Sequence, residues 1–278
     1  MEIPANLKFA IIDGGNIGQT IAKEIVASGR FSPEQLIITK RKIHLLEEFA
    51  QQGYITQVDN RDAVRCADII IIAAFPQQLN NLLHEINPGF IPEKHIVISV
   101  VSEVNTNEII RHVGKDIPTV WVMPTVAIMT QESMTCITSK QMTKEAIELT
   151  KLIFDLIGET PVINEEQMIP ATALCGCVIT FFLRAIRAAS QDGIEIGFHP
   201  YKAPSMAAQT AKCVAALSFS MKNHPEMEID KVTTPEGCTI AGLNEMEHQG
   251  FSSGMIEVII TSAEKAVKPY NSRSVEKK

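Results

Sequence analysis

Short runs of β-branched apolar residues alternate with amphipathic segments through the first 163 residues of this chain, and this alternation restricts the fold more than any other feature. Each run has the length of a strand, and the segments between the runs are long enough for crossover helices. The clearest runs occupy residues 9–12, 36–38, 68–74, 95–101 and 119–123, and weaker ones occupy 54–55, 134–137 and 161–163. Because the clear runs are apolar at nearly every position, both faces of the strands should be covered, as in a mainly parallel sheet.

The segment between the first two runs predicts an amphipathic helix. Ile17, Ile21 and Ile25 recur every four residues, and Gly29 follows the last turn as a helix stop. Strand, helix and second strand together form one βαβ unit. We therefore predict an α/β fold whose N-terminal Rossmann-type domain, a parallel sheet that binds a dinucleotide, covers residues 1–163.

The sequence changes character after residue 163. Segments that are apolar on nearly every face or rich in alanine follow without any strand pattern, at 168–190, 202–220 and 254–267. A helix that is apolar all round has to be buried, and helices of this kind have too little polar surface to stand alone. The sequence therefore predicts a second, all-helical dimerisation domain over 164–270 and a disordered tail at 271–278. A helical lobe that packs only on its own first domain is the alternative.

Composition limits the partners of the chain. A net charge of -7, from 32 acidic and 25 basic residues, opposes a nucleic-acid groove or an anionic membrane surface. No basic N-terminal region leads into a long apolar stretch. Six cysteines are too few for a disulfide framework, and Cys175 and Cys177 lack further ligands at zinc-site spacing. We expect a cytoplasmic protein that acts on a small molecule, without nucleic acid, membrane or metal.

A glycine-containing turn follows the first strand and opens the first helix. In the pattern G-x-G-x-x-G the second and third glycines fall on Gly15 and Gly18, and Asp13 takes the place of the first. The free N–H groups and the dipole of a helix start can hold a pyrophosphate. We therefore predict cofactor contacts from Gly14, Gly15, Asn16, Ile17 and Gly18. A plain glycine-containing βα turn is the alternative.

A basic cluster follows the second strand. About twenty residues past Gly18, where an NAD-preferring domain carries an acid for the ribose, this chain has Thr39, Lys40, Arg41 and Lys42. Such a cluster favours the 2′-phosphate of NADP, although a solvated face at the start of the next helix would also explain it. We predict NADPH as the cofactor, bound with the help of Thr39, Lys40 and Arg41, and NAD as the less favoured one.

Several longer motifs resemble a known family. They are Gly15 to Gly18, Pro76-Gln77, Val122-Met123-Pro124, Ala171 to Leu174 leading to Gly176, and the stretch VTTPEGCTIAGL at 232–243. On these motifs the chain resembles the pyrroline-5-carboxylate reductase family over almost its whole length. The resemblance implies a homodimeric oxidoreductase that uses NADPH to reduce a cyclic imine, 1-pyrroline-5-carboxylate, to L-proline in proline biosynthesis. It also implies that the substrate is held between helices of two subunits.

The resemblance further implies site residues. Thr239 matches the threonine that closes the family's P-G-G-x-T loop, and it would be the catalytic hydroxyl near the imine nitrogen. Additional cofactor contacts would come from Ala74, Phe75 and Pro76. Substrate contacts would come from Thr125, Cys175, Gly176, Cys177, Glu236, Gly237, Cys238 and Thr239.

Some positions depart from the family pattern. Phe75 replaces a lysine, Thr125 an asparagine, and Val178 and Ile179 a glycine and a proline. Glu236 replaces a glycine of the loop that binds the substrate carboxylate. If Glu236 points inward, about 4 to 6 Å from that carboxylate, the repulsion would be about 3 to 4 kcal/mol at an effective dielectric constant near 20.

These departures leave three interpretations. Glu236 turns to solvent and ordinary imine reduction survives, or the enzyme is a divergent imine reductase that acts on another, less anionic substrate, or the protein is a catalytically inactive NADP-binding dimer. A hydroxy-acid dehydrogenase with the same two-domain layout is less favoured. Those enzymes place a lysine on the first long helix of the second domain, and residues 168–186 contain Arg184 but no lysine.

Overall fold

The computed structural model describes residues 3–102, 104–140, 144–220 and 224–266. They form two compact units, the first extending to Gly176 and the second from Cys177 to Lys265. The sequence predicts the boundary earlier, after residue 163. The structural division falls later because Met168 and Cys175 pack with Trp121 and Cys136 of the first unit. The predicted tail at 271–278 lies outside the described residues.

The described part of the first unit has a seven-stranded sheet and a separate two-stranded one. Its strands are β1 (Phe9–Ile12), β2 (Leu36–Thr39), β3 (Ile55–Gln57), β4 (Ile69–Ile72), β5 (Ile96–Ser99), β6 (Thr119–Met123), β7 (Ser133–Met134), β8 (Cys136–Thr138) and β9 (Gly158–Glu159). The large sheet has the order β3-β2-β1-β4-β5-β6-β8, and β7 pairs with β9. All pairings in the large sheet are parallel except that of β8 with β6. The order of the first six strands is that of the Rossmann fold, so the predicted fold class is confirmed.

Helices connect these strands, and one more helix follows the last strand. They are α1 (Asn16–Ala27), α2 (Glu47–Gln51), α3 (Asn60–Cys66), α4 (Pro76–Ile86), α5 (Thr106–Val113), α6 (Lys144–Phe154) and α7 (Met168–Ala171). The helices cover both faces of the large sheet. Phe9 and Ile11 of β1 belong to one apolar core, whereas Ala10 and Ile12 belong to the other, and all four are fully buried. Burial on both faces explains why this run is apolar at consecutive positions.

The two weak strand predictions nearest the end of the first unit are wrong in detail. The run at 134–137 is divided between β7 and β8, because the Thr135 amide donates to the Glu159 carbonyl oxygen at 2.8 Å and the two halves pair with different strands. The run at 161–163 forms no strand. There, Val162 makes only an isolated bridge to Ile137, and β9 lies earlier, where Gly158 pairs with Ser133.

The described part of the second unit is helical. Its helices are α8 (Val178–Glu195), α9 (Ala203–Ser220), α10 (Pro225–Val232), α11 (Cys238–His248) and α12 (Phe251–Ala266). Helices α8 and α9 approach closely at Gly193, where a Cβ atom would lie 3.3 Å from that of Ala203. Large apolar side chains remain uncovered in the single chain, and Phe182 and Leu183 are each 58% exposed. An apolar groove of about 810 Å³ follows α8 and α9.

One helical stretch of the described chain could cross a membrane as judged by length and composition alone. It spans Glu165–Glu195 and has a mean hydropathy of 1.9 over its most apolar window. Apolar helices at protein interfaces have the same composition, so this finding is weak support for a membrane segment.

Candidate active site

The glycine turn is held against the end of β2. The Asp13 amide donates to Thr39 Oγ1 at 3.1 Å, and the Gly14 amide donates to the Thr39 carbonyl oxygen at 2.8 Å. Asp13 has a φ of 57°, the left-handed conformation that glycine adopts most easily. Asp13, at the first position of the G-x-G-x-x-G pattern, therefore has a backbone conformation that a glycine would adopt with less strain.

Three glycines of the turn have different roles. A Cβ atom on Gly14 would lie 2.6 Å from Ile38 Cγ2, and one on Gly18 would lie 2.8 Å from Ile11 Cγ2 and 2.9 Å from Ala73 Cβ. Gly14 and Gly18 thus allow close packing of the turn and of α1 on the sheet. A Cβ atom on Gly15 would make only ordinary van der Waals contacts, the nearest with the Asp13 carbonyl oxygen at 3.8 Å.

Gly15 lines a cleft of about 440 Å³ at the carboxyl ends of the strands. Its lining residues come from three chain segments and are Asp13, Gly15, Lys40, Arg41, Lys42, Phe75 and Gln78. Gly15 is the N-terminal cap of α1 and supplies no capping side chain, so the first turn of the helix can offer its N–H groups to an anion. A bare backbone, a helix start and nearby cations fit a dinucleotide pyrophosphate.

The predicted cations differ in how they are held. Lys40 Nζ donates to the Gly14 carbonyl oxygen at 2.8 Å and thereby links the basic cluster to the glycine turn. Arg41 and Lys42 are exposed at the margin of the cleft. Thr39 is fully buried, and its hydroxyl accepts the hydrogen bond of the Asp13 amide. Thr39 therefore supports the backbone of the glycine turn, whereas the Arg41 side chain lies at the surface of the cleft.

The segment after β4 forms the opposite wall. Phe75 is the N-terminal cap of α4, Pro76 is the first residue of that helix, and Ala74 is buried behind them. Phe75 lines the cleft and is 67% exposed. The structure therefore brings this predicted segment together with the glycine turn and with Lys40 and Arg41.

Thr125 lies in a buried chain of hydroxyl groups after β6. Its amide donates to Ser133 Oγ at 3.0 Å, and its own Oγ1 lies 3.3 Å from the same atom. Ser133 Oγ is also 2.9 Å from Thr135 Oγ1. Because Thr125 is only 3% exposed in the single chain, these bonds fix its position, and its contact with substrate stays a prediction.

Cys175, Gly176 and Cys177 lie in a π-helical turn, Thr172–Cys177, which follows α7. Thr172 Oγ1 donates to the Met168 carbonyl oxygen at 2.8 Å and lies 2.7 Å from Met123 Sδ. Single π-helical turns inside longer helices occur often at functional sites. The sequence did not reveal this turn, because its apolar residues fit an ordinary helix equally well.

Cys175 of this turn interacts through its thiol with Cys136, a buried residue of β8. The Cys136 thiol donates to the Cys175 sulfur, and this hydrogen bond lowers the pKa of Cys175 to about 7, although burial opposes the change. The same bond raises the pKa of Cys136, and burial adds to the effect. Cys175 is therefore the more acidic thiol of the two.

We expect iodoacetamide to label Cys175 increasingly fast as the pH rises through about 7, because the thiolate is the nucleophile. Replacing the donor, Cys136→Ala, should slow labelling of Cys175 at neutral pH about tenfold by raising its pKa. Peptide mass spectrometry over a pH series measures both rates. An unchanged pH midpoint in the Cys136→Ala protein would contradict this account.

The last predicted group lies in the second unit, in a tight turn before α11. The Gly237 amide donates to the Thr234 carbonyl oxygen at 3.0 Å, and a side chain on Gly237 would collide with Thr234. Glu236 has a φ of 60° and is exposed. Gly237 caps α11, so that Cys238 and Thr239 occupy its first turn. The four predicted residues are thus adjacent at a helix start, where backbone N–H groups can donate hydrogen bonds to a carboxylate.

Two family models match this chain. The model described as pyrroline-5-carboxylate reductase dimerisation matches residues 165–268. The model described as NADP oxidoreductase, coenzyme F420-dependent, matches residues 8–103. The two matches lie in the helical part and in the glycine-turn part of the chain, respectively.

Individual relatives extend over both parts. Pyrroline-5-carboxylate reductase 2 of Dictyostelium discoideum is 41% identical over 96% of this chain and 94% of its own length. Pyrroline-5-carboxylate reductase 1 of that organism is 47% identical over 96% of this chain, which spans only 51% of the relative's length. The solved pyrroline carboxylate reductase of Plasmodium falciparum with NADP bound has a TM-score of 0.84 at 22% identity and covers 94% of this chain and 97% of its own.

The sheet order, the glycine turn and the basic cleft define an NAD(P)H-dependent oxidoreductase with a Rossmann domain and a helical domain. The relatives that match over nearly the full chain identify the family within this class of oxidoreductase. The chain belongs to the pyrroline-5-carboxylate reductase family. The family resemblance drawn from the sequence motifs is confirmed.

Proposed function

We propose that this protein reduces 1-pyrroline-5-carboxylate to L-proline with NADPH. The observation that carries the proposal is the cleft in which Gly15 offers a bare backbone beside Lys40 and Arg41. Two features support it, namely the family membership and the NADP bound to the Plasmodium falciparum relative. NADPH, when bound, supplies a hydride to the imine carbon.

The chain's own residues bind the ligands and supply the proton. The glycine turn and the start of α1 would hold the pyrophosphate, and Arg41 would bind the 2′-phosphate. The start of α11 accepts the substrate carboxylate, and the Thr239 hydroxyl passes a proton to the nitrogen, which becomes an amine as the carbon is reduced. This chemistry needs no histidine or carboxylate as a dedicated acid.

The assay that tests the proposal follows NADPH oxidation in the presence of 1-pyrroline-5-carboxylate. Turnover on the order of 1 to 1000 per second, with proline as the product, would support it. NADPH binding without turnover on this imine would overturn it. Turnover of a different cyclic imine would then identify a divergent reductase, and turnover of no imine would identify an inactive nucleotide-binding protein.

Glu236 provides a second test, which concerns substrate affinity. Because its side chain is exposed in the described structure, we expect Glu236→Gln to change the KM for 1-pyrroline-5-carboxylate less than about threefold. Steady-state kinetics with a saturating concentration of NADPH measures this. A fall in KM of about a hundredfold would instead place the carboxylate against the substrate, where its repulsion costs about 3 kcal/mol.

The helical domain associates with copies of itself, and we propose a homodimer in the cytoplasm. The family model of this region describes dimerisation, and uncovered side chains such as Phe182 and Leu183 need a partner surface. The low cysteine content, six in 278 residues, is typical of proteins from a reducing compartment. Light scattering of the purified protein tests the assembly, and a stable monomer would overturn the proposed homodimer.

A further inference from the structure

Gln78 connects two charged residues at the cleft. With its amide oriented to satisfy both neighbours, Gln78 Nε2 donates to Asp13 Oδ2 at 2.9 Å, and its Oε1 accepts from Arg41 Nη2 at 3.0 Å. The sheet order explains this meeting. Asp13 follows β1, Arg41 follows the neighbouring β2, and Gln78 lies in the first turn of α4, which follows the neighbour on the other side, β4.

We propose that Gln78 is a positioning residue that gives this protein its selectivity for NADPH over NADH. Its amide, itself oriented by Asp13, holds the Arg41 guanidinium at the margin of the cleft, where it meets the 2′-phosphate. The inference rests on the proposed use of NADPH and adds the means by which the phosphate is recognised.

Gln78 restricts the conformational freedom of the Arg41 side chain. Arg41 is exposed, and a free arginine side chain would have to give up many rotamers when it binds a phosphate. The bond to Gln78 restricts the side chain beforehand and uses one of its five N–H donors. The remaining donors can still form a bidentate contact with the phosphate oxygens.

Gln78 also keeps the opposite charges of Asp13 and Arg41 apart. A direct ion pair between Asp13 and Arg41 would offset the positive charge that has to attract the phosphate. The neutral amide of Gln78 instead separates the two groups by two hydrogen bonds. The negative charge introduced at Asp13, in the place of the family's first glycine, is thereby used to orient Gln78.

The test compares dissociation constants for NADPH and NADH in four variants of the full chain. Gln78→Met keeps the length of the side chain and removes both hydrogen bonds, so NADPH should bind about five- to tenfold more weakly and NADH within about twofold of the original protein. Asn80→Ala, an exposed amide on the same helix outside the cleft lining, is the matched control and should leave both constants unchanged. Arg41→Ala should remove most of the selectivity, and adding Gln78→Met to it should change NADPH binding less than about twofold further.

Fluorescence titration gives the constants, and NADH binding shows that each variant has folded. The inference is overturned if Gln78→Met binds NADPH as tightly as the original protein, if it weakens both cofactors equally, or if its effect persists in the Arg41→Ala background. A protein that selects NADPH through Gln78 but does not reduce 1-pyrroline-5-carboxylate would reject the proposed function and still support the inference. A protein that binds neither nucleotide would reject both.

Discussion

Thr239→Val should lower kcat for 1-pyrroline-5-carboxylate about a hundredfold or more while changing KM only slightly. Valine has nearly the same shape as threonine, so the substitution removes the hydroxyl and little else. A positioned proton donor contributes about 10² to 10⁴ to a rate, and Thr239 is the hydroxyl that the family pattern places near the imine nitrogen. Its position in the first turn of α11 keeps it beside the N–H groups proposed to hold the substrate carboxylate.

The control for this experiment is Thr239→Ser, which retains a hydroxyl and should keep kcat within about tenfold of the original value. Stopped-flow measurement of NADPH oxidation separates the chemical step from product release. If Thr239→Val keeps a kcat within threefold of the original, the proton comes from another source. If both variants lose activity equally, a hydroxyl at this position is not sufficient for catalysis, and the loss in Thr239→Val does not support proton donation.

The sheet was predictable because its signal is local and repeated. Phe9–Ile12 is apolar at four consecutive positions and is buried at all four, since helices cover both faces of the sheet. The two-residue strands were not predictable. Strand β9 exists because Gly158, with a φ of 152°, lets its backbone lie against Ser133 so closely that a Cβ atom would collide with it. Such an approach between distant segments leaves no periodic pattern in the sequence.

In the candidate site, too, some parts could be predicted from the sequence and others could not. The glycine turn and the basic cluster could be found because each is a short motif next to a predicted strand. The hydrogen bond from Lys40 to Gly14 could not, since it requires two strand ends to lie side by side in a known register. Gln78 was missed for the same reason, because its partners follow β1 and β2 whereas it follows β4. A polar residue two positions after Pro76 was the only signal in the sequence.

Lys40 and Arg41 were predicted to have the same role, but their surroundings in the structure differ. Lys40 holds the carbonyl of Gly14 and so supports the turn that every dinucleotide would need. Arg41 is exposed at the cleft margin, where we propose that it binds the 2′-phosphate, a group that only NADP carries. Lys40→Ala alone should therefore weaken NADPH and NADH to a similar degree, whereas Arg41→Ala alone should act on NADPH.

The double variant Lys40→Ala with Arg41→Ala should bind NADPH about a hundredfold or more weakly, and NADH less than about tenfold more weakly. A hydrogen bond to a charged group contributes about 1.5 to 3 kcal/mol, so the loss of the Arg41 contact together with the support from Lys40 amounts to about 3 kcal/mol or more for NADPH. NADH loses only the support of the turn. Calorimetric titration with each nucleotide measures the two losses. Raising the salt concentration should reduce the difference between them, because the proposed site of the 2′-phosphate lies at a solvent-exposed margin. Equal losses for both nucleotides would mean that the cluster is a solvated surface and that NADPH is selected elsewhere in the chain.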